Sequence, residues 1–133
     1  MQVQAYINFF GRCEEALAFY GKVLGATTQF VMRYSESPEA GNTPAELQNK
    51  IMHVAFTIGE SSLMACDAMH GEQPTGHKIS LTLLPKSVEE GQKLFEGLSE
   101  GGQVVVPYGP TFWARGFAIV VDAFDVQWMI NFE

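Results

Sequence analysis

Hydrophobic and polar residues follow two different periods along the chain, and each period predicts one kind of element. Apolar positions three or four residues apart predict helices at 13–24 and 87–99. Phe19 lies in the apolar stripe of the first helix, so we expect Phe19→Ala to cost roughly 3–5 kcal/mol if the ring is fully buried. Runs rich in β-branched and aromatic residues predict eight strands, at 3–10, 27–34, 51–58, 62–68, 79–84, 103–106, 116–121 and 128–132.

Short local signals mark where the predicted helices begin and end. Gly25 follows the first helix, at a position where glycine commonly stops a helix. Ser87 and Glu90 open the second helix as a capping box, in which each side chain satisfies the other residue's backbone N–H. Residues 35–50 are mostly polar and contain proline and glycine, which predicts either a lid or a mobile solvated loop.

The same series of elements occurs twice. A strand, a helix, a strand and a strand pair fill about residues 1–70, and the series repeats over about residues 77–133. Two long repeats do not make a solenoid, which needs shorter units and at least three of them. The pattern therefore predicts a single α+β domain, residues 1–133, made of two βαβββ modules whose curled mixed sheets surround a cavity.

Composition and charge narrow the classes of partner. The formal net charge of −7 disfavours binding to nucleic acid, because phosphate backbones repel an acidic chain. The two cysteines, Cys13 and Cys66, form no zinc-binding pattern, and free thiols in a reducing compartment are expected. The N-terminus lacks the cationic start of a signal peptide, and no apolar run approaches the roughly 18 residues that would span a bilayer. We therefore expect a cytoplasmic protein with no membrane partner.

Several motifs resemble those of one superfamily. Residues 19–25 (F-Y-G-K-V-L-G) are similar to a segment on the first helix of the glyoxalase/bleomycin resistance/dioxygenase (vicinal oxygen chelate) superfamily. The strand at 62–67 and a C-terminal pattern look like the PhnB-like branch of that superfamily. The C-terminal pattern comprises Thr111-Phe112-Trp113, Gly116-Phe117, Asp122, Phe124, Val126 and Trp128-Met129-Ile130-Asn131. The resemblance covers nearly the whole chain and implies the fold that the periodicity predicts.

The chain departs from the branch at three positions. Asp125 stands where glycine is usual, Gln127 where proline is usual, and Pro110 where a glutamate commonly precedes T-F-W. Some members of the branch carry a demethylubiquinone methyltransferase name. Methyltransferase chemistry is not expected, because the first strand is followed by residues 11–14 (G-R-C-E) rather than by a glycine-rich cofactor-binding turn.

The resemblance also implies where a metal would bind. Metal-dependent members of the superfamily hold a divalent ion through histidine, glutamine or glutamate on about four strands. The corresponding positions here are Ala5, Ala65 or Asp67, Lys78 with His77 one residue out of register, and Met129. Alanine and methionine cannot replace such ligands, so we expect no standard metal site and no cofactor.

Six residues are candidates for lining the predicted cavity: His53, Asp67, Trp113, Arg115, Met129 and Asn131. His53 points away from the apolar face of its strand and is either structural or an acid–base group. Asp67 either forms an Asx turn or places a carboxylate at the cavity mouth. Trp113 suits a pocket wall, and Arg115 either binds an anionic ligand or pairs at the surface. His70 and His77 are expected to be solvated.

Three functions remain open at this stage. The first is metal-independent binding of a small organic molecule, with or without its isomerisation or cleavage. The second is sequestration of a drug or toxin, and the third is a divalent-metal-dependent lyase or dioxygenase. Whether the protein is an enzyme is left open. A homodimer is expected, because a cupped half-sheet has an open edge that proteins usually pair or cover.

Overall fold

Each half of the chain folds as a strand, a helix and three further strands, as the sequence pattern predicts. The computed structural model describes residues 1–69, 77 and 79–133, which divide into the compact units Met1–Gln73 and Pro74–Glu133. The first unit contains β1 (Tyr6–Asn8), α1 (Cys13–Leu24), β2 (Thr27–Arg33), β3 (Ile51–Ile58) and β4 (Ser61–Cys66). The second contains β5 (Leu81–Leu83), α2 (Val88–Ser99), β6 (Gln103–Gly109), β7 (Gly116–Val121) and β8 (Gln127–Phe132).

The two units have the same sheet topology. The first sheet has the order β1-β4-β3-β2 and the second the order β5-β8-β7-β6. In each, the first strand pairs in parallel with the last, and the remaining pairs are antiparallel. The prediction of an α+β fold built from two βαβββ modules is confirmed.

Helix α1 buries a different aromatic residue from the one expected. Its buried residues are Cys13, Ala16 and Tyr20, whereas Phe19 is only half-buried. The Tyr20 ring packs near Phe9, with 6.1 Å between ring centroids. Because Phe19 is not fully buried, the estimate for Phe19→Ala, which assumed full burial, does not apply. We expect Tyr20→Ala to lower the free energy of unfolding by more than Phe19→Ala does.

Helix α2 packs against β7 and β8 of its own sheet. On the face that α2 covers, alternate residues of β7 and β8 are almost fully buried: Ala118, Val120, Trp128 and Ile130. Leu98 is the fully buried apolar residue on the helix side. Residues at alternate strand positions therefore lie on the other face of the sheet, which α2 does not cover.

The helix ends follow their sequence signals with one difference. Gly25 adopts a left-handed conformation (φ 69°) at the end of α1, as expected. The Ser87 hydroxyl accepts a hydrogen bond from the Glu90 N–H at 3.0 Å, which is half of the predicted capping box. The other half is absent, because the Glu90 carboxylate accepts from the N–H of Lys86 rather than from that of Ser87.

Two glycines make room for a tyrosine beside α2. A Cβ atom would lie 2.2 Å from the Tyr108 hydroxyl if added at Gly91 and 2.0 Å if added at Gly116. The same hydroxyl donates a 3.0 Å hydrogen bond to the Val88 carbonyl in the first turn of α2. The absence of a side chain at both positions lets β6 approach the helix and β7 closely at this point.

The polar segment at 35–50 has local structure of its own. It includes three short 3₁₀ turns, at Tyr34–Glu36, Ala40–Asn42 and Ala45–Leu47. The Gln48 side-chain amide donates to the carbonyls of Ala40 and Thr43 and ties the turns together. A role as a lid stays a prediction. Neither α1 nor α2 has the length and apolar character needed to cross a membrane, and no other helix among the described residues has them.

Candidate functional site

The face of the first sheet opposite α1 carries aromatic and polar side chains. His53 neighbours the fully buried Val54 on β3, so its side chain points to the other face, as expected from the sequence. The Tyr6 hydroxyl lies 3.0 Å from His53 Nδ1. The Phe30 ring lies 6.2 Å from the imidazole, centroid to centroid. We call Tyr6, Phe30, His53 and Cys66 the Tyr6–His53 cluster.

Tyr6 is held as a neutral phenol. Burial raises the pKa of Tyr6 to about 12, and the neighbouring Cys66 side chain acts in the same direction. Burial, followed by the charge of Cys66, also raises the pKa of Tyr34. The Tyr34 hydroxyl donates to the Asp67 carbonyl at 3.3 Å. Two phenols, a thiol and an imidazole therefore lie near one another at this end of the sheet.

The strand register accounts for the residues that the sequence did not reveal. Ile7 pairs with Ala65, which is fully buried on the α1 side, so Ala65 does not reach the open face. The neighbouring pairs bring Tyr6 and Cys66 to that face. The resemblance places the second ligand position at Ala65 or Asp67. Tyr6 and Cys66 each lie one residue from a position named by the resemblance, and successive strand residues point to opposite faces. The tyrosine at position 6, a hydroxyl-bearing residue within the predicted first strand, was the signal in the sequence that could have identified this position.

Asp67 lies in the interior of the first unit, with a relative exposure of 1%. Its Oδ1 accepts from the N–H groups of Gly11 (2.8 Å) and Cys13 (2.9 Å), and its Oδ2 accepts from that of Ile51 (3.1 Å). The carboxylate thus joins the end of β4 to the start of α1 and the start of β3. These contacts give Asp67 a structural role.

The face of the second sheet opposite α2 carries Met129 and Asn131. Asn131 pairs across the sheet with Phe117, and Met129 pairs with Ile119. The Trp113 ring meets Phe117 edge-on, with 5.1 Å between centroids. The Asn131 Oδ1 atom is buried and has no hydrogen-bond partner among residues 1–69, 77 and 79–133. An apolar surface with one unsatisfied polar group is typical of a ligand-binding wall.

Arg115 is held against the end of the chain that the structure describes. Its Nε and Nη2 atoms donate to the backbone oxygen of Glu133, and its guanidinium lies 4.2 Å from the centroid of the Phe132 ring. The side chain is therefore engaged at the surface by the backbone oxygen of Glu133 and the ring of Phe132.

His77 contacts the residue at which the chain departs from the PhnB-like pattern. Its Nε2 lies 3.0 Å from the carbonyl and 3.1 Å from the carboxylate of Asp125. Asp125 has a φ of 67°, in the region that favours glycine. The glycine usual at this position in the branch is explained by that conformation. His70 and Lys78, also considered above, lie outside the described residues.

A cleft lies on the other side of the first sheet, between α1 and β2. Its volume is 280 Å³, and its lining includes Glu14, Leu17, Val31 and Arg33. Arg33 donates to the Glu14 carboxylate, and this hydrogen bond lowers the pKa of Glu14. Because the two charged groups of the cleft satisfy each other at the surface, the cleft offers no free charge to a ligand.

The comparisons with known proteins agree with this architecture. Residues 1–131 match the protein family described as 3-demethylubiquinone-9 3-methyltransferase. The chain belongs to this family. Protein YjdN of Escherichia coli strain K12 is 34% identical, and the match covers 98% of this chain and 95% of YjdN.

Solved structures of other family members and of more distant proteins share the fold. Protein PA1353 from Pseudomonas aeruginosa is 38% identical, covers 100% of this chain and 98% of its own, and has a TM-score of 0.88. A PhnB protein from Bacillus cereus, 21% identical, covers 100% of both chains with a TM-score of 0.84. Two glyoxalase-related structures, 17% and 18% identical, have TM-scores of 0.62 and 0.67. This family member therefore has the glyoxalase/bleomycin-resistance fold, and the PhnB-like resemblance is confirmed.

The described residues do not match the ligand set of the superfamily's metal site. Nowhere among residues 1–69, 77 and 79–133 do three histidine, cysteine, aspartate or glutamate side chains come together as metal ligands would. On the open face of the first sheet, His53 and Cys66 are the candidate metal ligands. On the second sheet, Met129 and Asn131 provide neither an imidazole nor a carboxylate. A firmly bound transition metal needs three or four protein ligands.

Proposed function

We propose that this family member binds a small organic molecule on the open face of the first sheet, at the Tyr6–His53 cluster. The observation that carries the proposal is the 3.0 Å contact between a phenol and an imidazole on a face that α1 does not cover. Tyr6 and Phe30 are each 50% exposed, so both rings are accessible to a ligand. Aromatic surface next to a few fixed polar groups is the usual composition of a small-molecule site.

The chemistry open to the cluster is hydrogen bonding and proton transfer. A phenol and an imidazole in contact can exchange a proton with a bound molecule, which would support isomerisation or cleavage without a metal. Binding without turnover, as in sequestration, would use the same contacts. We therefore propose metal-independent binding as the core function. An activity screen tests whether the bound molecule is also converted.

The methyltransferase description of the family is not adopted for the activity. A dinucleotide-type cofactor fold uses a parallel sheet wound on both faces, with a glycine-rich turn after the first strand. Both sheets here are mixed, and each has one helix. Incubation with radiolabelled S-adenosylmethionine and a demethylubiquinone should therefore transfer no methyl group.

The second sheet supplies a further surface for the proposal. Trp113, Met129 and Asn131 combine aromatic and thioether area with a buried amide oxygen that lacks a partner among the described residues. Leaving such an oxygen without a partner costs about 1–3 kcal/mol, which a ligand donor or a water molecule would offset. We propose that these three residues line a ligand-binding surface of the second unit.

A ligand screen by NMR tests the proposed function. Isotope-labelled protein is titrated with small aromatic and carbonyl compounds, and the shifts are mapped on the chain. Binding should perturb residues of the Tyr6–His53 cluster, and His53→Ala should abolish those shifts. His77→Ala is the matched control and should leave them intact. Compounds that bind only elsewhere, or binding that His53→Ala does not change, would contradict the proposal.

We also propose that the protein is a homodimer. Each sheet ends in an antiparallel edge strand with exposed apolar residues, Val31 on β2 and Val104 and Val105 on β6. Exposed apolar edge strands are usually paired or covered. Sedimentation equilibrium at micromolar concentration should give twice the mass of the chain, and a monomer at that concentration would refute the dimer.

A further inference from the structure

The contact between Tyr6 and His53 determines which imidazole nitrogen carries the proton. A neutral phenol has one O–H to donate, and an unprotonated imidazole nitrogen is a strong acceptor. The other neighbour of the phenol, the Cys66 thiol, is only a weak hydrogen-bonding group. These strengths favour donation from Tyr6 to His53 Nδ1 across 3.0 Å, which leaves the proton of the neutral ring on Nε2.

The Nε2–H group has no protein acceptor in the part of the chain that the structure describes. The contacts of the His53 ring there are the Nδ1 hydrogen bond and the rings of Tyr6 and Phe30. Met32 lies opposite His53 on the neighbouring strand. None of these three neighbours carries a charge, so the donor faces an uncharged, partly aromatic surface.

We infer that the site takes a ligand whose neutral carbonyl oxygen accepts a hydrogen bond from His53 Nε2–H, while its apolar body packs on Phe30. This inference rests on the proposed function and names the class of ligand. A carboxylate is disfavoured, because no cationic side chain belongs to the cluster and the chain carries a net charge of −7. An ammonium group is disfavoured, because it would meet the Nε2–H donor rather than an acceptor.

In this arrangement Tyr6 is a positioning residue, and NMR reads its effect directly. Long-range proton–nitrogen spectra distinguish a protonated from an unprotonated imidazole nitrogen, and His53→Gln identifies the His53 signals by difference. In the wild type, Nδ1 should be unprotonated and Nε2 protonated. Tyr6→Phe should give a mixture of the two tautomers. Tyr108→Phe, which removes a hydroxyl bound to a backbone carbonyl in the other unit, should change nothing.

Three compounds with one carbon skeleton test the ligand class. Acetophenone carries a carbonyl oxygen, 1-phenylethylamine carries an ammonium group, and ethylbenzene carries neither. Acetophenone should shift the His53 side-chain signals and bind more tightly than ethylbenzene by about two- to tenfold, the effect of one neutral hydrogen bond. His53→Phe should remove that preference, and 1-phenylethylamine should be the weakest of the three.

The outcomes separate this inference from the function on which it rests. A proton on Nδ1 in the wild type, or unchanged tautomers in Tyr6→Phe, would overturn the assignment of the donor. Equal binding of acetophenone and ethylbenzene on the cluster would overturn the ligand class while leaving the proposed function standing. The proposed function itself fails if no compound of the broader screen perturbs the cluster, or if His53→Ala leaves the binding unchanged.

Discussion

The indole N–H of Trp128 donates a 2.8 Å hydrogen bond to Oδ2 of Asp122 in the interior of the second unit. The other carboxylate oxygen accepts from the N–H groups of Phe124 and Val126, so one side chain holds the turn between β7 and β8. Asp122 is 3% exposed and Trp128 is 2% exposed. The aspartate and tryptophan of the C-terminal motif are therefore joined by a direct contact.

Replacement of Asp122 should destabilise the protein strongly. Asp122→Ala leaves three donors without this acceptor, and we expect the free energy of unfolding to fall by at least about 2 kcal/mol. Asp122→Asn keeps one oxygen for the backbone donors and should cost less than alanine. Urea denaturation measures both variants. A loss below about 0.5 kcal/mol for Asp122→Ala would show that the carboxylate does not hold the turn.

Adjacent aromatic residues of α1 offer a matched test of burial. Tyr20 is fully buried and Phe19 is half-buried, so we expect Tyr20→Ala to cost about 3–5 kcal/mol and Phe19→Ala about 1–2 kcal/mol. Chemical denaturation of the two variants under one set of conditions gives the difference. A larger loss for Phe19→Ala than for Tyr20→Ala would show that α1 faces its sheet with Phe19 and not with Tyr20.

Glycine at position 125 should be tolerated or favourable. Asp125 has a φ of 67°, and glycine adopts that conformation without the steric cost of a Cβ atom. The contact with His77 is exposed on the aspartate side and contributes at most about 1 kcal/mol. We expect Asp125→Gly to change the free energy of unfolding by between zero and about +1 kcal/mol. Ala123→Gly, in the same turn but without a positive φ, is the control and should be destabilising.

Alkaline titration should reveal Tyr6. Its pKa in the folded protein is raised to about 12, above the ordinary value of 10.0 that the unfolded chain has. Its contribution to stability is therefore complete below pH 10 and is lost as the pH rises from about 10 to 12. Tyr6→Phe should remove one phenolate from the ultraviolet titration near pH 12 and flatten the stability profile over that interval. Ionisation of Tyr6 near pH 10 in the native protein would contradict the raised pKa.

Purified protein should contain little bound transition metal. Among residues 1–69, 77 and 79–133, no three histidine, cysteine, aspartate or glutamate side chains come together, and fewer side chains cannot supply the three or four bonds that hold a transition metal. Elemental analysis of protein purified without chelator should find well under one nickel, zinc, manganese or iron per chain. About one metal per chain, or a large thermal shift with one divalent ion, would overturn this expectation.

Periodicity was sufficient for the elements of the fold but not for the site. The predicted helix 13–24 and the predicted strands 51–58 and 116–121 match the structure at both ends, because each has a regular apolar pattern between clear stop signals. The Tyr6–His53 contact joins residues 47 positions apart, and it depends on the pairing of β1 with β4. No local pattern specifies that register, so His53 could be singled out from the sequence while its partner could not.

The close approach of Tyr108 to Gly91 and Gly116 couples three positions on three different elements, β6, α2 and β7. A side chain at either glycine would occupy the place of the phenol, and a smaller residue at 108 would leave a hole between helix and sheet. Each single change should therefore be destabilising. A larger residue at 91 or 116 combined with a smaller residue at 108 would preserve the packed volume. In a library of variants, these three sites should tolerate substitution only in combination, and their energetic effects should not add.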